Sequence, residues 1–201
     1  MSTILEDLHL PDEAVAALRA GLRAPGLTLV SGRYGTGKSR AALTAAAEAA
    51  DGNRSVITIE DAPEGDVPGL VRLTPTGERP FAALARRLSQ TDADVILVDE
   101  VLDIARAEFA LRHASAGRSV LAVITSTSAL AAIDRFADDA SRDYGTELGV
   151  YSALRSVVHL RSDERDAEVF VNSDAATRAL LAGRPSAEVR AAAGAGSRFR
   201  D

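Results

Sequence analysis

The chain has 201 residues, of which 46% are hydrophobic, enough for one globular domain with a sizeable core. It has no cysteine, which excludes disulfides and thiolate zinc sites, and its three separate histidines (His9, His113 and His159) are expected at the surface or at helix ends. A formal net charge of −6, scattered arginines and 4% aromatic residues give no indication of nucleic-acid binding.

Helices and strands alternate in the first half of the chain. Residues 10–23 are predicted to form an amphipathic helix with Pro11 near its start. This helix belongs to an N-terminal segment, residues 1–26, that leads into a first strand at 27–30. A helix at 41–50 follows, then strands at 56–59 and 70–74. A short helix at 81–88 precedes the apolar strand 95–98.

The second half continues the alternation and ends differently. A helix at 104–114, a strand at 120–124 and a helix at 129–136 come first. Strands at 157–160 and 169–171 flank a charged turn, residues 162–166, and predict a hairpin. Helices at 174–182 and 186–192 close the chain, and residues 194–201 are expected to be a mobile tail.

These patterns predict one α/β domain spanning residues 1–201, with residues 172–201 forming the C-terminal helices and tail. Apolar strands without alternation, interleaved with helices, are typical of a mainly parallel sheet covered on both faces. No apolar run is long enough to span a membrane and residues 2–7 lack signal-peptide character, so we expect a cytoplasmic protein.

The lone lysine of the chain, Lys38, lies in a G-x-x-x-x-G-K-[ST] pattern between a predicted strand and a predicted helix. Every other fixed positive charge is an arginine, and a compact ammonium reaches between phosphates where a planar guanidinium is too broad. Backbone N–H groups of such a loop wrap the phosphates of a nucleotide. The predicted ATP-binding residues are Gly32, Arg33, Tyr34, Gly35, Thr36, Gly37, Lys38, Ser39 and Arg40.

Polar residues follow the other predicted strands at their carboxyl ends, where open α/β sheets bind ligands. Asp99 and Glu100 follow four apolar residues, a Walker B pattern: Asp99, with the Ser39 hydroxyl, is predicted to hold Mg²⁺, and Glu100 to orient or deprotonate the attacking water. Glu60 and Asp61 end the second strand, whereas Thr125 and Ser126 end a fourth and are suited to sensing the γ-phosphate.

Several segments, in order and spacing, resemble the ATPases of type II secretion and type IV pili. Residues 57–64 resemble the family's aspartate box T-I-E-D-P-I-E, and residues 94–103 resemble its Walker B stretch D-V-I-L-V-G-E-x-R-D. Residues 117–129 follow its histidine box, and residues 169–184 resemble the end of the pilus-retraction branch. Arg72, Phe81 and Arg86 match further family positions.

The resemblance implies a RecA-like P-loop fold, ATP and Mg²⁺ as cofactors, and Glu60 as a second candidate for activating water. It implies a homo-hexamer, or a hetero-oligomer with a fuller ATPase, acting on a secretion or pilus platform protein, so the chain is expected in the cytoplasm or peripherally at the inner face of the membrane. The zinc-binding cysteine pairs of the assembly branch do not occur here, which indicates the retraction branch.

The chain also departs from the family. The resemblance covers the ATPase domain and not the family's N-terminal domain; Arg118 and Thr125 replace the two histidines of the histidine box, and Leu102 replaces the Walker B arginine. Two alternatives therefore stand beside a motor ATPase: a nucleotide-binding accessory subunit with little hydrolysis, and an unrelated small P-loop phosphotransferase. Arg72, Arg79 and Arg86 are candidates for reaching a neighbouring subunit's γ-phosphate.

Overall fold

The computed structural model describes residues 4–51, 53–63, 65–76, 80–88, 90–140, 147–162 and 166–199. After a 3₁₀ turn at Leu5–Leu8, the first elements are α1 (Asp12–Arg23), β1 (Gly26–Gly32), α2 (Lys38–Asp51), β2 (Val56–Glu60), β3 (Leu70–Leu73), α3 (Phe81–Leu88) and β4 (Val95–Asp99). Then follow α4 (Ile104–Ser115), β5 (Ser119–Thr125), α5 (Ala129–Ala140), α6 (Glu147–Ala153), β6 (Leu154–Leu160), β7 (Ala167–Val171), α7 (Asp174–Leu181) and α8 (Ser186–Ala191).

The seven strands form one sheet in the order β3-β2-β4-β5-β1-β6-β7. Neighbouring strands are parallel except β6 and β7, which pair antiparallel. The predicted mainly parallel sheet and the predicted hairpin are thereby confirmed. Because β1, β2, β4 and β5 all run in one direction, the residues that follow them meet at a single edge of the sheet.

Each face of the sheet buries its own core, which explains why the strands read as uninterrupted apolar runs. On one face, side chains of β1, β4 and β5 pack with α3, α4, α5 and α6. On the other face, the alternate side chains pack with α1, α2 and the 3₁₀ turn. Four small residues of α2, Ala41, Ala42, Ala45 and Ala46, face this second core. The helix that follows the phosphate loop therefore lies close against the sheet.

Two elements were not predicted from the sequence, and the C-terminal tail differs from the expectation. The 3₁₀ turn and α6 span only four and seven residues, too short for a clear periodicity. Residues 194–199 lie against β7: Arg198 and Val169 exchange backbone hydrogen bonds of 2.6 and 2.7 Å, and the Gly194 N–H donates to the Val171 carbonyl. The expected mobile tail thus has an ordered position over these residues; residues 200–201 lie outside the described part.

A helix that spans a membrane must be both long and apolar. Within the described ranges, no helix is long and apolar enough to do so.

Candidate nucleotide-binding site

The loop between β1 and α2 is shaped by its own hydrogen bonds. Gly35 and Gly37 have φ angles of 79° and 81°, a region that other residues rarely adopt. The Arg33 carbonyl accepts hydrogen bonds from Lys38 Nζ at 3.0 Å and from Thr36 Oγ1 at 2.9 Å. Lys38 is only 7% exposed and opens α2, so its ammonium and the first helical N–H groups lie at the loop.

A hydroxyl and a carboxylate meet beside this loop. Ser39 Oγ donates to Asp99 Oδ1 at 2.7 Å, which joins the start of α2 to the end of β4. Burial raises the pKa of Asp99, as do the nearby negative charges of Glu60 and Glu100, while Ser39 and Lys38 oppose the shift. The corner therefore carries negative charge that a cation would neutralise.

Glu100 is held by the residue at the end of the next strand. Thr125 Oγ1 donates to Glu100 Oε1 at 2.7 Å. Thr125 pairs in register with Gly32, the first glycine of the phosphate loop, so this pair lies next to the loop. The peptide bond between Asp99 and Glu100 is cis. One carboxylate oxygen of Glu100 is thus fixed by a hydroxyl at the edge of the candidate site.

Glu60 has different surroundings from Glu100. It is 4% exposed and accepts hydrogen bonds from Arg72 at 2.8 and 2.5 Å and from Thr58 Oγ1 at 2.5 Å. Burial opposes ionisation, but the hydrogen bonds from Arg72 and Thr58 outweigh it and lower the pKa of Glu60. A carboxylate whose two oxygens are both taken by an ion pair is a poor base for water.

The candidate arginines for action in trans lie in different settings. Arg72 donates to Glu60 and, through Nη1, to the Gly65 carbonyl at 2.6 Å, so it is engaged within its own chain. Arg86 is exposed on α3, and Arg79 lies outside the described residues. Of the three, the structure thus leaves Arg86 at the surface and places Arg72 inside an ion pair.

Arg106 was not among the predicted site residues. Its guanidinium, in the first turn of α4, donates to Asp61 at 2.8 and 3.0 Å and also to Asp103. It lies 5.0 Å from the centre of the Phe81 ring. Arg106 therefore joins the end of β2 to the stretch that follows β4, and its spacing of three residues from Asp103 was the available signal.

His159 is buried near the carboxyl end of β6, so the expectation of a surface or helix-end position was wrong for it. Its Nδ1 lies 3.1 Å from Ser31 Oγ and 3.5 Å from Ser126 Oγ. Burial lowers its pKa, with the nearby Glu168 acting in the opposite direction. His159 thus links the strand before the phosphate loop to the residue after Thr125, and its apolar neighbours Val158 and Leu160 were the missed signal.

The two histidine-box replacements lie at opposite edges of the sheet. Thr125 contacts Glu100 in the candidate site. Arg118 lies at the amino end of β5, where it donates to His113 Nδ1 at 2.6 Å and to the Thr91 carbonyl at 2.7 Å. Only the replacement at Thr125 bears on the candidate site.

Two clefts flank the phosphate loop. The larger, of about 730 Å³, collects the predicted site residues from the carboxyl edge: Gly35, Gly37, Lys38, Ser39, Arg40, Glu60, Asp99 and Glu100, with Tyr34 at its rim. The smaller, of about 290 Å³, lies between Thr36, Gly37 and Arg40 on one side and residues 7–10 on the other. Gly37 and Arg40 line both clefts, so the start of α2 separates two adjoining spaces.

The donor groups in the larger cleft fit Mg²⁺. Ser39 and Asp99 offer hard oxygen ligands next to the phosphate loop. In the part of the chain that the structure describes, no three acidic or histidine side chains form a metal cage. Mg²⁺ is commonly bound by one or two protein groups together with substrate phosphates and water, so this sparse set is sufficient.

Comparison with known proteins identifies the family. The chain matches the model of the type II/IV secretion system protein family over residues 2–185. It is 30% identical over 137 residues to the type II secretion system protein HxcR of Pseudomonas aeruginosa, which covers 67% of this chain and 29% of HxcR. The chain therefore spans less than a third of that relative.

Solved structures show the same architecture. The ATPase DotB of Legionella pneumophila matches with a TM-score of 0.72 and 22% identity, over 95% of this chain and 57% of DotB. The pilus retraction motor PilT, solved with bound ADP, matches with a TM-score of 0.71 and 23% identity, over 95% of this chain and 62% of PilT. These matches confirm the RecA-like α/β fold, and with the sequence match they show that the chain belongs to the type II/IV secretion system protein family.

Proposed function

We propose that the chain binds ATP with Mg²⁺ at the phosphate loop and hydrolyses it. The observation that carries the proposal is the contact between Ser39 Oγ and Asp99 Oδ1 at 2.7 Å, beside the lysine of the loop. A phosphate loop, a hydroxyl and a strand-end carboxylate at one point are the parts that P-loop NTPases use for a metal–nucleotide complex.

The loop residues bind the phosphates. The N–H groups of residues 33–39 and the start of α2 face the phosphates, and Lys38 exchanges its contact with the Arg33 carbonyl for phosphate oxygens. Ser39 and Asp99 hold Mg²⁺, which when bound neutralises the charge that develops on the phosphates. The base and ribose extend into the smaller cleft, whose volume of about 290 Å³ lies near the lower end of small-ligand pockets.

Glu100 orients and deprotonates the attacking water. Thr125 donates a hydrogen bond to Oε1 of Glu100, and Glu100 lines the larger cleft, so its carboxylate can accept a proton from a water bound there. Glu60, paired with Arg72, keeps the end of β2 in place and does not take the proton. The contacts of Glu100 with Thr125 and of Glu60 with Arg72 support a catalytic role for the first carboxylate and a structural role for the second.

The chain acts as the nucleotide-hydrolysing unit of a secretion or type IV pilus motor, in an oligomer of its own copies or with a fuller ATPase, at the inner face of the membrane. The family match and the names of the relatives support this role: a secretion protein, an ATPase and a pilus retraction motor. An exposed arginine such as Arg86 on α3 is available to a neighbouring subunit.

The test compares phosphate release by the wild type and by Glu100→Gln at several protein concentrations, with Mg²⁺. We expect kcat to fall by about 100-fold or more with ATP affinity retained, because the amide cannot accept the proton. Activity per subunit that rises with protein concentration supports the oligomer. Equal turnover by both proteins rejects Glu100 as the base, and a wild type that binds ATP without turnover favours the accessory-subunit alternative.

A further inference from the structure

Residues 4–10 are here called the strap, and its residues 7–10 form one wall of the smaller cleft. Asp7, Leu8, His9 and Leu10 face the phosphate-loop residues Thr36, Gly37 and Arg40 across it. The strap is anchored by Leu5, which is fully buried in the core between α1 and α2, and whose N–H donates to Glu48 Oε1 at 2.8 Å. One wall of the cleft therefore belongs to a segment that reaches the site from outside the sheet.

A single arginine ties the strap to the helix that follows the phosphate loop. Arg19, on α1, donates to both carboxylate oxygens of Glu6 in the strap, at 2.7 and 2.8 Å. The same guanidinium donates to Glu48 on α2, at 2.8 Å to Oε2 and 3.0 Å to Oε1. Arg19 thus bridges three segments, and hydrogen bonding by Arg19 lowers the pKa of Glu6.

The contacts of Arg19 should affect the position of the strap more than the stability of the fold. The Glu6 end of these contacts is half exposed, and exposed ion pairs contribute little to stability. The buried side chain of Leu5 and its bond to Glu48 remain when the Glu6 contact is lost. Removing the contact should therefore loosen residues 6–10 while the sheet and the phosphate loop stay folded.

The lining of the smaller cleft has an aliphatic part that suits a base. Leu8, Leu10, Ala41 and Leu160 supply aliphatic contacts, and the polar and charged side chains beside them include Asp7, His9, Arg40 and Arg161. Flat heteroaromatic rings bind in mainly apolar clefts with a few polar groups at the edges. Phosphates, by contrast, are bound by the loop residues that the two clefts share.

We propose that Arg19 is a positioning residue for nucleotide binding: through Glu6 and Glu48 it holds the strap at the distance from the phosphate loop at which base and ribose fit between them. This rests on the proposed function, because it assigns the base side of the same site. When the strap is loosened, only part of the molecules present a complete base pocket, and the apparent dissociation constant rises by the inverse of that fraction.

The experiment distinguishes binding of the base from binding of the phosphates. Calorimetric titrations with Mg-ATP and with Mg-tripolyphosphate, which has no base, are run on the full chain of the wild type, Glu6→Gln and Arg19→Ala. Arg23→Ala is the matched control, since Arg23 is an exposed arginine one turn further along α1. We expect both strap variants to bind ATP about fivefold more weakly and tripolyphosphate unchanged, with the control like the wild type.

Equal weakening of ATP and tripolyphosphate, or no weakening of either, would overturn the role of Arg19 while the proposed function stands. A wild type that binds neither ligand refutes the proposed function itself. Hydrogen exchange gives a second readout that does not depend on tripolyphosphate affinity: ATP should protect the amides of residues 5–10 in the wild type and less so in Glu6→Gln. Absence of that protection in the wild type also overturns the inference.

Discussion

Charged residues have different partners at the two edges of the sheet. At the carboxyl edge, Asp99 and Glu100 line an open cleft, and Asp99 is in a setting that raises its pKa. At the amino edge, arginines bind backbone carbonyls: Arg54 donates to Asp94, Arg118 to Thr91 and Arg155 to Pro25. These three guanidinium groups at the amino edge are hydrogen-bonded within the chain, whereas Asp99 and Glu100 at the carboxyl edge line the space for a ligand.

This difference teaches where changes should affect activity and where they should affect stability. A group that is incompletely paired in the folded chain is available to substrate, and its loss mainly lowers binding or turnover. A group that is fully paired has no such freedom, and its loss leaves a buried partner unsatisfied. Glu60 is an exception that sharpens the contrast, because it is a paired group at the carboxyl edge.

The largest effect is expected for Lys38→Ala. Losing the ammonium at the phosphate loop should weaken Mg-ATP binding by about 100-fold or more and abolish measurable hydrolysis, since charged hydrogen bonds to phosphate are lost. Arg54→Ala at the amino edge is the matched control and should bind ATP like the wild type. Calorimetry and phosphate release measure both, and comparable losses in the two variants would erase the distinction between the edges.

Glu60→Gln should mainly cost stability. Glutamine keeps the shape but weakens the buried hydrogen bonds with Arg72, which is expected to lower the free energy of unfolding by about 2 kcal/mol, measured by urea denaturation. Because the pKa of Glu60 is lowered, its contribution is present above its unfolded-state pKa and is lost as pH falls through the native value. Glu13→Gln, which breaks an exposed pair with Arg198, serves as the control and should change little. A fall in kcat as large as that of Glu100→Gln would instead make Glu60 the base.

His113 should give the amino edge a pH dependence. Burial and the charges of Arg118 and Arg112 lower its pKa to about 4, so between about pH 6.5 and 4 the unfolded chain binds the proton that the folded chain rejects. Stability contributed by neutral His113 is therefore lost as pH falls through this window. Relative to His113→Asn, the wild type should lose roughly 2 kcal/mol between pH 7 and 4.5 in urea titrations. Parallel pH curves for the two proteins would contradict the assignment.

The smallest effect is expected for Thr125→Val. The valine keeps the shape and removes the hydrogen bond to Glu100, so kcat should fall about fivefold while KM stays near its wild-type value. Thr125→Ser retains the hydroxyl and should keep most of the activity. Steady-state kinetics distinguish the two variants, and equal losses in both would assign the effect to packing of the methyl group rather than to the hydrogen bond.

The sheet and the phosphate loop were predictable because their signals are local. Four apolar residues before Asp99, or the glycines around Lys38, specify a strand end or a loop within ten positions. The same locality explains why the order of helices and strands could be predicted almost throughout. Site residues whose place is set by a motif therefore gather at the expected edge.

The remaining contacts could not be predicted because their partners are distant in sequence. Arg106 and Asp61 are 45 residues apart, and Arg19 and Glu48 are 29 apart. Many arginines can pair with many acids in a chain with 26% charged residues, so spacing alone does not select the pairs. The strap wall of the smaller cleft escaped prediction for the same reason, since the packing of Leu5 between two helices sets its position.

The C-terminal residues beside β7 have a consequence for behaviour in concentrated solution. A strand at the border of a sheet offers unpaired N–H and C=O groups to any other extended chain, which favours aggregation. Here Arg198 pairs with Val169, and Ser197 Oγ accepts from the Val171 N–H at 2.8 Å. The tail therefore protects against edge-to-edge strand pairing between copies, and its removal should lower solubility before it lowers nucleotide binding.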